Sequence, residues 1–223
     1  MRVLVVGASG RTGRLVVQEA RAAGHRVRAL ARSLEPEAAD DLEILRADVC
    51  APGVAERAVA GMDAVVVVLS MVRTSDSPWS RITTPRDLHS QAADRLVTAC
   101  EAAGVRRYVS VSAHGVGASR SRAGWAFLAL VHSSNIGVAY DNLAVSEARV
   151  EDSSLDWTLV RPTRLTMAPG TGCWTADAAL RTSSRAHIPR EDLARFLVQS
   201  LTDPRWSRTA VSLTSRAPGA AAG

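Results

Sequence analysis

The nine residues VGASGRTGR, Val6 to Arg14, set three glycines, Gly7, Gly10 and Gly13, between an apolar run and an amphipathic one. Before them, RVLVVGA has the β-branched content of a short buried strand. After them, GRLVVQEARAAG carries apolar residues at helical spacing and ends on a glycine suited to a helix C-cap. Strand, glycine turn and helix in this order form an anion cradle. Without β-carbons the backbone approaches a pyrophosphate closely and the helix packs tightly on the sheet, while the helix N-terminus offers free N–H groups and a positive dipole end. Ser9, Arg11 and Thr12 share the turn with the three glycines and are candidate cofactor contacts.

Outward from this turn the elements alternate. HRVRALAR and LEILRAD read as the second and third strands, VAERAVAG as a short helix, and DAVVVVLS as a strand buried on both faces. RDLHSQAADRLVTACEAAG reads as a long helix and VRRYVSVSA as a fifth strand. This alternation predicts an α/β fold, a doubly wound parallel sheet of the Rossmann type. Residues 113–133 read as a loop carrying at most a short helix. A helix follows from about Asn135 to Asp152, then LDWTLVRPT as a sixth strand stopped by Pro162. Residues 164–187 show little periodicity and are the candidate substrate-covering lobe. IPREDLARFLVQSLTD reads as a helix with Pro189 in its first turn, and RTAVSLTS as the last strand. The reading is one domain over residues 1–215 and a flexible tail over 216–223.

Composition narrows the classes. The chain has 223 residues, 47% apolar and 22% charged, in the ordinary range for a globular domain. Its apolar runs are too short to span a bilayer, and Met1 leads directly into a strand without a cleavable leader. All 27 cationic residues are arginine and the formal charge is +5. The arginines are scattered, which argues against a nucleic-acid stripe. Cys50, Cys100 and Cys173 lack metal or redox spacing and are expected to be free thiols in a reducing cytoplasm.

The end of the second strand discriminates between dinucleotides. An NAD site places a carboxylate there for the ribose hydroxyls, whereas this chain has Arg32 and Ser33. Arg32, with Arg11, can pair with a 2′-phosphate. NADP(H) is therefore expected in preference to NAD(H). Asp48 and Val49 after the third strand are expected beside adenine, and Leu69 and Ser70 after the fourth beside ribose and nicotinamide.

These residues carry a resemblance. The G-x-x-G-x-x-G spacing, together with LAR, RADV, AGMDAVVVVL, GVRRYVSVSA, SSLDWTLVRPTRLT and IPREDLARFLVQSLTD, resembles the atypical short-chain dehydrogenases/reductases, in the group that joins NmrA-like proteins to the flavin reductase (biliverdin reductase B) type. The resemblance covers nearly the whole chain. It implies a hydride-transferring reductase without a metal, with the backbone after Pro162 against the nicotinamide and a compact substrate lobe.

The catalytic positions depart from the family pattern. Ordinary short-chain dehydrogenases use Tyr-x-x-x-Lys, the lysine lowering the tyrosine pKa. Here Tyr140 is followed four residues on by Ala144 and there is no lysine in the chain. Tyr140 is thus either an active-site hydrogen-bond donor or a packing residue at a helix start. Ser112 ends the fifth strand where the fold places its catalytic serine, and His114 follows two residues on and titrates in a useful range. Asp141 and Arg164 could orient a polar substrate. Trp79, Trp125 and Trp174, with Phe127, fall in segments expected over the carboxyl ends of the strands, as stacking surfaces or as ordinary loop packing.

The expectation is an NADPH-dependent reductase of a planar conjugated acceptor such as a flavin, quinone or polycyclic ketone. A narrow tailoring ketoreductase or epimerase and a non-catalytic NADP(H)-sensing protein are the alternatives. The partners expected are a small aromatic substrate, no nucleic acid and no membrane, with the chain a monomer or homodimer.

Overall fold

In the computed structural model, residues 1–35, 39–75, 77–183 and 185–216 are described. The elements run β1 (Arg2–Val6), α1 (Arg11–Ala22), β2 (Arg26–Ala31), β3 (Leu42–Arg46), α2 (Val54–Val59), β4 (Ala64–Val67), α3 (Leu88–Ala103) and β5 (Arg107–Val111). A 3₁₀ turn at Gly117–Arg122 leads to α4 (Trp125–His132), α5 (Ile136–Glu151), β6 (Asp156–Pro162), β7 (Arg164–Thr166), β8 (Trp174–Asp177), β9 (His187–Pro189), α6 (Arg190–Ser200) and β10 (Thr209–Ser215). Eight strands form one sheet in the order β3-β2-β1-β4-β5-β6-β10-β8. It is parallel throughout except for β8, which runs antiparallel to β10. A doubly wound parallel sheet is what the alternation predicts.

Two apolar layers cover the sheet. Val3 and Val5 of β1 point toward α1 and α6, packing on Val16, Leu193 and Leu197. Leu4 and Val6 point the other way, with α2 and α3 and with Tyr108 and Val150. This is the alternation of a strand buried on both faces. The strand order reverses between β1 and β4, so their carboxyl ends diverge and open the crevice where ligands bind in such sheets.

Several expectations need correction. Residues 164–187 hold more regular structure than their lack of periodicity suggests: β7, β8 and the start of β9, where His187 pairs with Arg164. Strands of three and four residues are too short to display a period. Their order comes from α6, where the fully buried Asp192 accepts from the N–H groups of Thr171 (3.0 Å) and Gly172 (2.9 Å) and from the Thr171 hydroxyl, and Glu191 accepts from Gly170 N–H (2.8 Å). The short helix allowed for in residues 113–133 is α4, and the 3₁₀ turn before it is an addition. Pro189 is the N-cap of α6 rather than a first-turn residue. Of the tail, Arg216 donates its N–H to the Cys173 carbonyl at 3.1 Å; residues 217–223 lie outside the described residues. The three cysteines are free.

Candidate functional site

The glycine turn is closed against side chains at two of its three glycines, Gly7 and Gly13. Gly7 has φ +85°, and a β-carbon on it would lie 2.4 Å from the Val68 carbonyl oxygen. One on Gly13 would lie 2.1 Å from the Gly7 carbonyl oxygen, so the first turn of α1 presses directly on the turn backbone. The Gly7 and Ala8 N–H groups donate to the Leu30 carbonyl (2.9 and 3.2 Å), and Gly10 N–H to Gly7 (3.0 Å), which fixes the loop against β2. Gly10 caps α1 without a side-chain hydrogen bond. The first-turn N–H groups of Arg11, Thr12 and Gly13 have no preceding turn to bond. Ser9 is half-buried and its carbonyl accepts from Arg14 Nε at 3.1 Å.

Around this cradle stand the other expected cofactor residues. Arg32 and Ser33 follow β2 directly and are exposed, and the Arg32 side chain has no hydrogen-bond or ion-pair partner among the described residues. Asp48 shapes the turn after β3, its Oδ1 accepting from Cys50 N–H at 2.9 Å, and Val49 is buried beneath it. Leu69 and Ser70 lie just beyond β4, where Val68 N–H still donates to the Val6 carbonyl. A separate cavity of about 310 Å³ opens at the amino-terminal edge of the sheet. Its walls are neutralised: Arg2 pairs with Asp63, and Arg28 pairs with Glu43 and caps the carbonyls of Arg57, Ala58 and Ala60.

Beyond β5 the chain keeps its ladder to β6 for three more residues. Ser112 N–H donates to Val160 (2.7 Å) and His114 N–H to the Pro162 carbonyl (3.0 Å), which holds both side chains at the carboxyl end of the sheet. Ser112 Oγ and His114 Nε2 are buried and without a hydrogen-bond partner among the described residues. The other ring nitrogen, Nδ1, lies 2.9 Å from Ser212 Oγ on β10. Burial pulls the His114 pKa below its ordinary value, and the charges of Arg161 and Arg122 push the same way against an opposing backbone contact from Arg122. The imidazole is neutral near pH 7.

Tyr140, in the second turn of α5, reaches this group. Its hydroxyl donates to the His114 carbonyl at 3.3 Å, its ring meets Phe127 edge-on at 6.1 Å, and burial raises its pKa above the ordinary phenol range. Gly115 passes beneath it with φ +99°, where a β-carbon would come within 3.3 Å of the Tyr140 ring. Asp141 is exposed and lines a small hollow with Gly115, Tyr140, Arg120 and His132. Trp79 and Trp125 stand at opposite ends of α4, 60% and 83% exposed, with Trp79 Nε1 donating to the Ser133 carbonyl at 3.0 Å. Trp174 is not brought to this group: it sits edge-on to Phe196 at 6.3 Å on the α1–α6 side. Arg164 is exposed on β7.

Several supports of the site escape a reading of the sequence. Asn142 Oδ1 accepts from His89 N–H (2.8 Å) and Ser90 N–H (3.3 Å), so α5 caps the start of α3 from two residues beyond Tyr140. Arg161 on β6 makes a two-point ion pair with Glu147 on α5, both contacts 2.8 Å and both side chains buried. Gly117 packs on that pair, leaving no space for a β-carbon. The one signal of the pair in the sequence is Glu147 itself, an acid on the helical stripe of Leu143 and Val150, both buried.

His89 supplies a pH dependence. Burial at the head of α3 lowers its pKa from 6.5 to about 4. Between those values the unfolded chain binds the proton and the folded chain does not, so stability falls as pH drops through this window and is fully present above about 6.5. Roughly 3 kcal/mol of stability present at pH 7 is expected to be lost by pH 4. His89→Gln should flatten this part of the curve in denaturant melts, and an unaltered curve would refute the assignment.

Comparison with known proteins gives a consistent result. A family model described as NAD(P)H-binding matches residues 7–204. The uncharacterized sugar epimerase YhfK of Bacillus subtilis is 28% identical, the match covering 96% of this chain and 94% of that protein. A short-chain dehydrogenase/reductase of Veillonella parvula, solved in complex with NADP, superposes with a TM-score of 0.76 at 18% identity over 98% of this chain and 95% of that one. ChuY, an anaerobillin reductase from Escherichia coli O157:H7, does so at 0.75 and 19% over the full length of both. At such identities the two structures establish a shared fold. Among the described residues there is no helix long and apolar enough to cross a membrane and no cluster of three or more metal-ligating side chains.

Proposed function

The chain belongs to the NAD(P)H-binding family, and on that premise we propose that it is an NADPH-dependent reductase of a planar, conjugated acceptor. The residues present fit the dinucleotide: the cradle has no space for a β-carbon at Gly7 or Gly13, and the N–H groups at the head of α1 suit an anion. Gly7 to Gly13 would hold the pyrophosphate, Arg32, Ser33 and Arg11 the 2′-phosphate, Asp48 and Val49 the adenine, and Leu69, Ser70 and Pro162 the nicotinamide half. Bound there, the nicotinamide supplies the hydride.

The observation that carries the reading is the state of Tyr140. Its hydroxyl is committed to a backbone carbonyl, its surroundings hold it protonated, and there is no lysine in the chain to acidify it. Such a phenol neither takes a proton from an alcohol nor gives one readily to a ketone. A flavin or quinone draws its proton from solvent and needs neither service. An epimerase, the class in the name of the Bacillus relative, needs a base where this chain offers a buried neutral phenol. Ser112 Oγ and His114 Nε2 supply two buried polar atoms for orienting an acceptor carbonyl or ring nitrogen. Positioning then provides most of the rate.

The test is NADPH oxidation at 340 nm against a panel of flavins, quinones and polycyclic ketones. Turnover of a flavin or quinone is expected, with Tyr140→Phe keeping kcat within about threefold, since only one neutral hydrogen bond is lost. Tight NADPH binding without turnover of any acceptor, or a loss of about 100-fold in Tyr140→Phe, would overturn the reading.

Cofactor choice has its own test. Arg32→Ala is expected to raise the NADPH Kd by about 10- to 100-fold, the worth of a charge-assisted hydrogen bond, and to leave the NADH Kd within about twofold. An unchanged NADPH Kd would remove Arg32 from the 2′-phosphate site.

A further inference from the structure

Ser212, in the middle of β10, is buried, and its hydroxyl has one hydrogen-bond partner among the described residues, His114 Nδ1 at 2.9 Å. Either atom can be the donor in such a contact, and the surroundings decide between them. If the imidazole donated, the Ser212 O–H would be left buried and unpaired, a costly state. If the hydroxyl donates, its hydrogen is satisfied and Nδ1 contributes a lone pair. The proton of the neutral ring then sits on Nε2. The Arg122 backbone agrees with this: it pulls the His114 pKa upward, as a carbonyl near an imidazole N–H does, while lying outside hydrogen-bond geometry so that Nε2 stays unpartnered.

A carboxylate in the place of Ser212 would do the reverse. It can only accept, so it would draw the proton to Nδ1 and leave Nε2 as a base, the arrangement of a Ser-His-Asp triad. Among the described residues no acid is hydrogen-bonded to the His114 ring. Asp177, opposite Ser212 on β8, is exposed and accepts instead from Ala179 N–H at 2.8 Å. The charges that reach the ring are those of Arg161 and Arg122, which oppose a second proton on it. We infer that Ser212 is a positioning residue that holds His114 as its Nε2–H tautomer, so that the site presents an N–H donor, and not a base, to the acceptor.

This rests on the reductase reading above and states what the acceptor must bring to the site: a lone pair, on a carbonyl oxygen or an unprotonated ring nitrogen, close to the atom that takes the hydride. Ser112 Oγ, also buried and unpartnered, can give that lone-pair atom a second hydrogen bond. Out of water both bonds are stronger than they would be at the surface. In the reduction the hydride leaves the nicotinamide, the accompanying proton comes from solvent, and His114 keeps its own. A ring nitrogen that has gained its proton no longer matches an N–H donor, so such an acceptor is held more tightly oxidised than reduced.

The experiment is nitrogen–proton correlation NMR of the full chain with isotope-labelled histidine, the ring signals lost in His114→Gln giving the assignment. The wild-type protein is expected to show a protonated Nε2 and a lone-pair Nδ1. Ser212→Ala should move the ring toward the Nδ1–H form, and Ser212→Thr, which keeps the hydroxyl, should restore Nε2–H. With a flavin or quinone that the protein turns over, Ser212→Ala should lower kcat/KM by about 3- to 10-fold, the worth of one hydrogen bond, with the NADPH Kd within about twofold. A protonated Nδ1 in the wild-type protein, or a tautomer unmoved in Ser212→Ala, would overturn the inference. So would a fall in kcat/KM matched by equal weakening of NADPH binding, because Ser212 would then only support the fold. The wild-type spectrum decides the tautomer even where a variant does not fold. It also needs no acceptor, so it upholds or overturns the tautomer in a protein that turns none over, an outcome that fails the reductase reading alone.

Discussion

Gly13→Ala is expected to raise the NADPH Kd by at least about 100-fold, close to 3 kcal/mol of binding free energy. The added carbon would lie 2.1 Å from the Gly7 carbonyl oxygen, 2.9 Å from its carbonyl carbon and 3.0 Å from Ala8 Cα. All three are backbone atoms of a loop already fixed by hydrogen bonds to Leu30, so no side chain can turn aside. Helix α1 must withdraw, carrying its N-terminal N–H groups away from the phosphate position and loosening its packing on α6. Gly104→Ala is the matched control: φ is +70° there, but a β-carbon meets nothing within 4 Å. It should cost about 1 kcal/mol of stability and leave NADPH affinity alone. Titration of both variants with NADPH decides the matter, and equal affinities would show that the close approach of α1 is not what builds the cradle.

Glu147→Ala is the second large effect. It leaves the Arg161 guanidinium, 3% exposed, with Glu151 at 3.9 Å as its one remaining acidic neighbour among the described residues. A buried charge stripped of its partner costs about 3–5 kcal/mol, which for a domain of this size lowers Tm by roughly 6–20 °C. Removing both charges is expected to hurt less than removing one. A Glu147→Leu, Arg161→Met double variant should recover most of the loss, because hydrophobic replacement of a whole buried pair is often nearly neutral. If the double variant is as unstable as the single one, the pair acts through shape and not charge. The same bond ties α5 to β6, and Tyr140 adds a second tie from α5 to the His114 backbone.

The part of the molecule written in local chemistry is legible in the amino acids alone. A turn whose function lies in its backbone shows itself as glycines at fixed spacing, and strands buried on both faces show themselves as runs such as AVVVV. Ser112, His114 and Tyr140 stand out because they sit at element ends set by those patterns. Less legible is everything that depends on a distant partner. Asn142 is an unremarked helix residue until α3 lies beside it, and Asp192 reads as a favourable first-turn acid until the N–H groups of Thr171 and Gly172 arrive. Trp174 falls in a segment that reads as a loop over the site and belongs instead to the Phe196 side of the core, because β8 carries it to the sheet edge. The short strands of residues 164–189 are likewise imposed from outside by β10 and α6.

The strand order also sets a schedule for folding. β8 has one neighbour in the sheet, β10, and β10 is laid between β6 and β8 with Thr209 opposite Thr158 and Ser215 opposite Trp174. β1 to β6 all precede β10 in the chain and can pair among themselves before it is made. β8 has no strand to pair with until β10, encoded more than thirty residues later, has been made. During synthesis the strands around the phosphate cradle can therefore assemble while the segment around β8 still lacks the strand that joins it to the sheet.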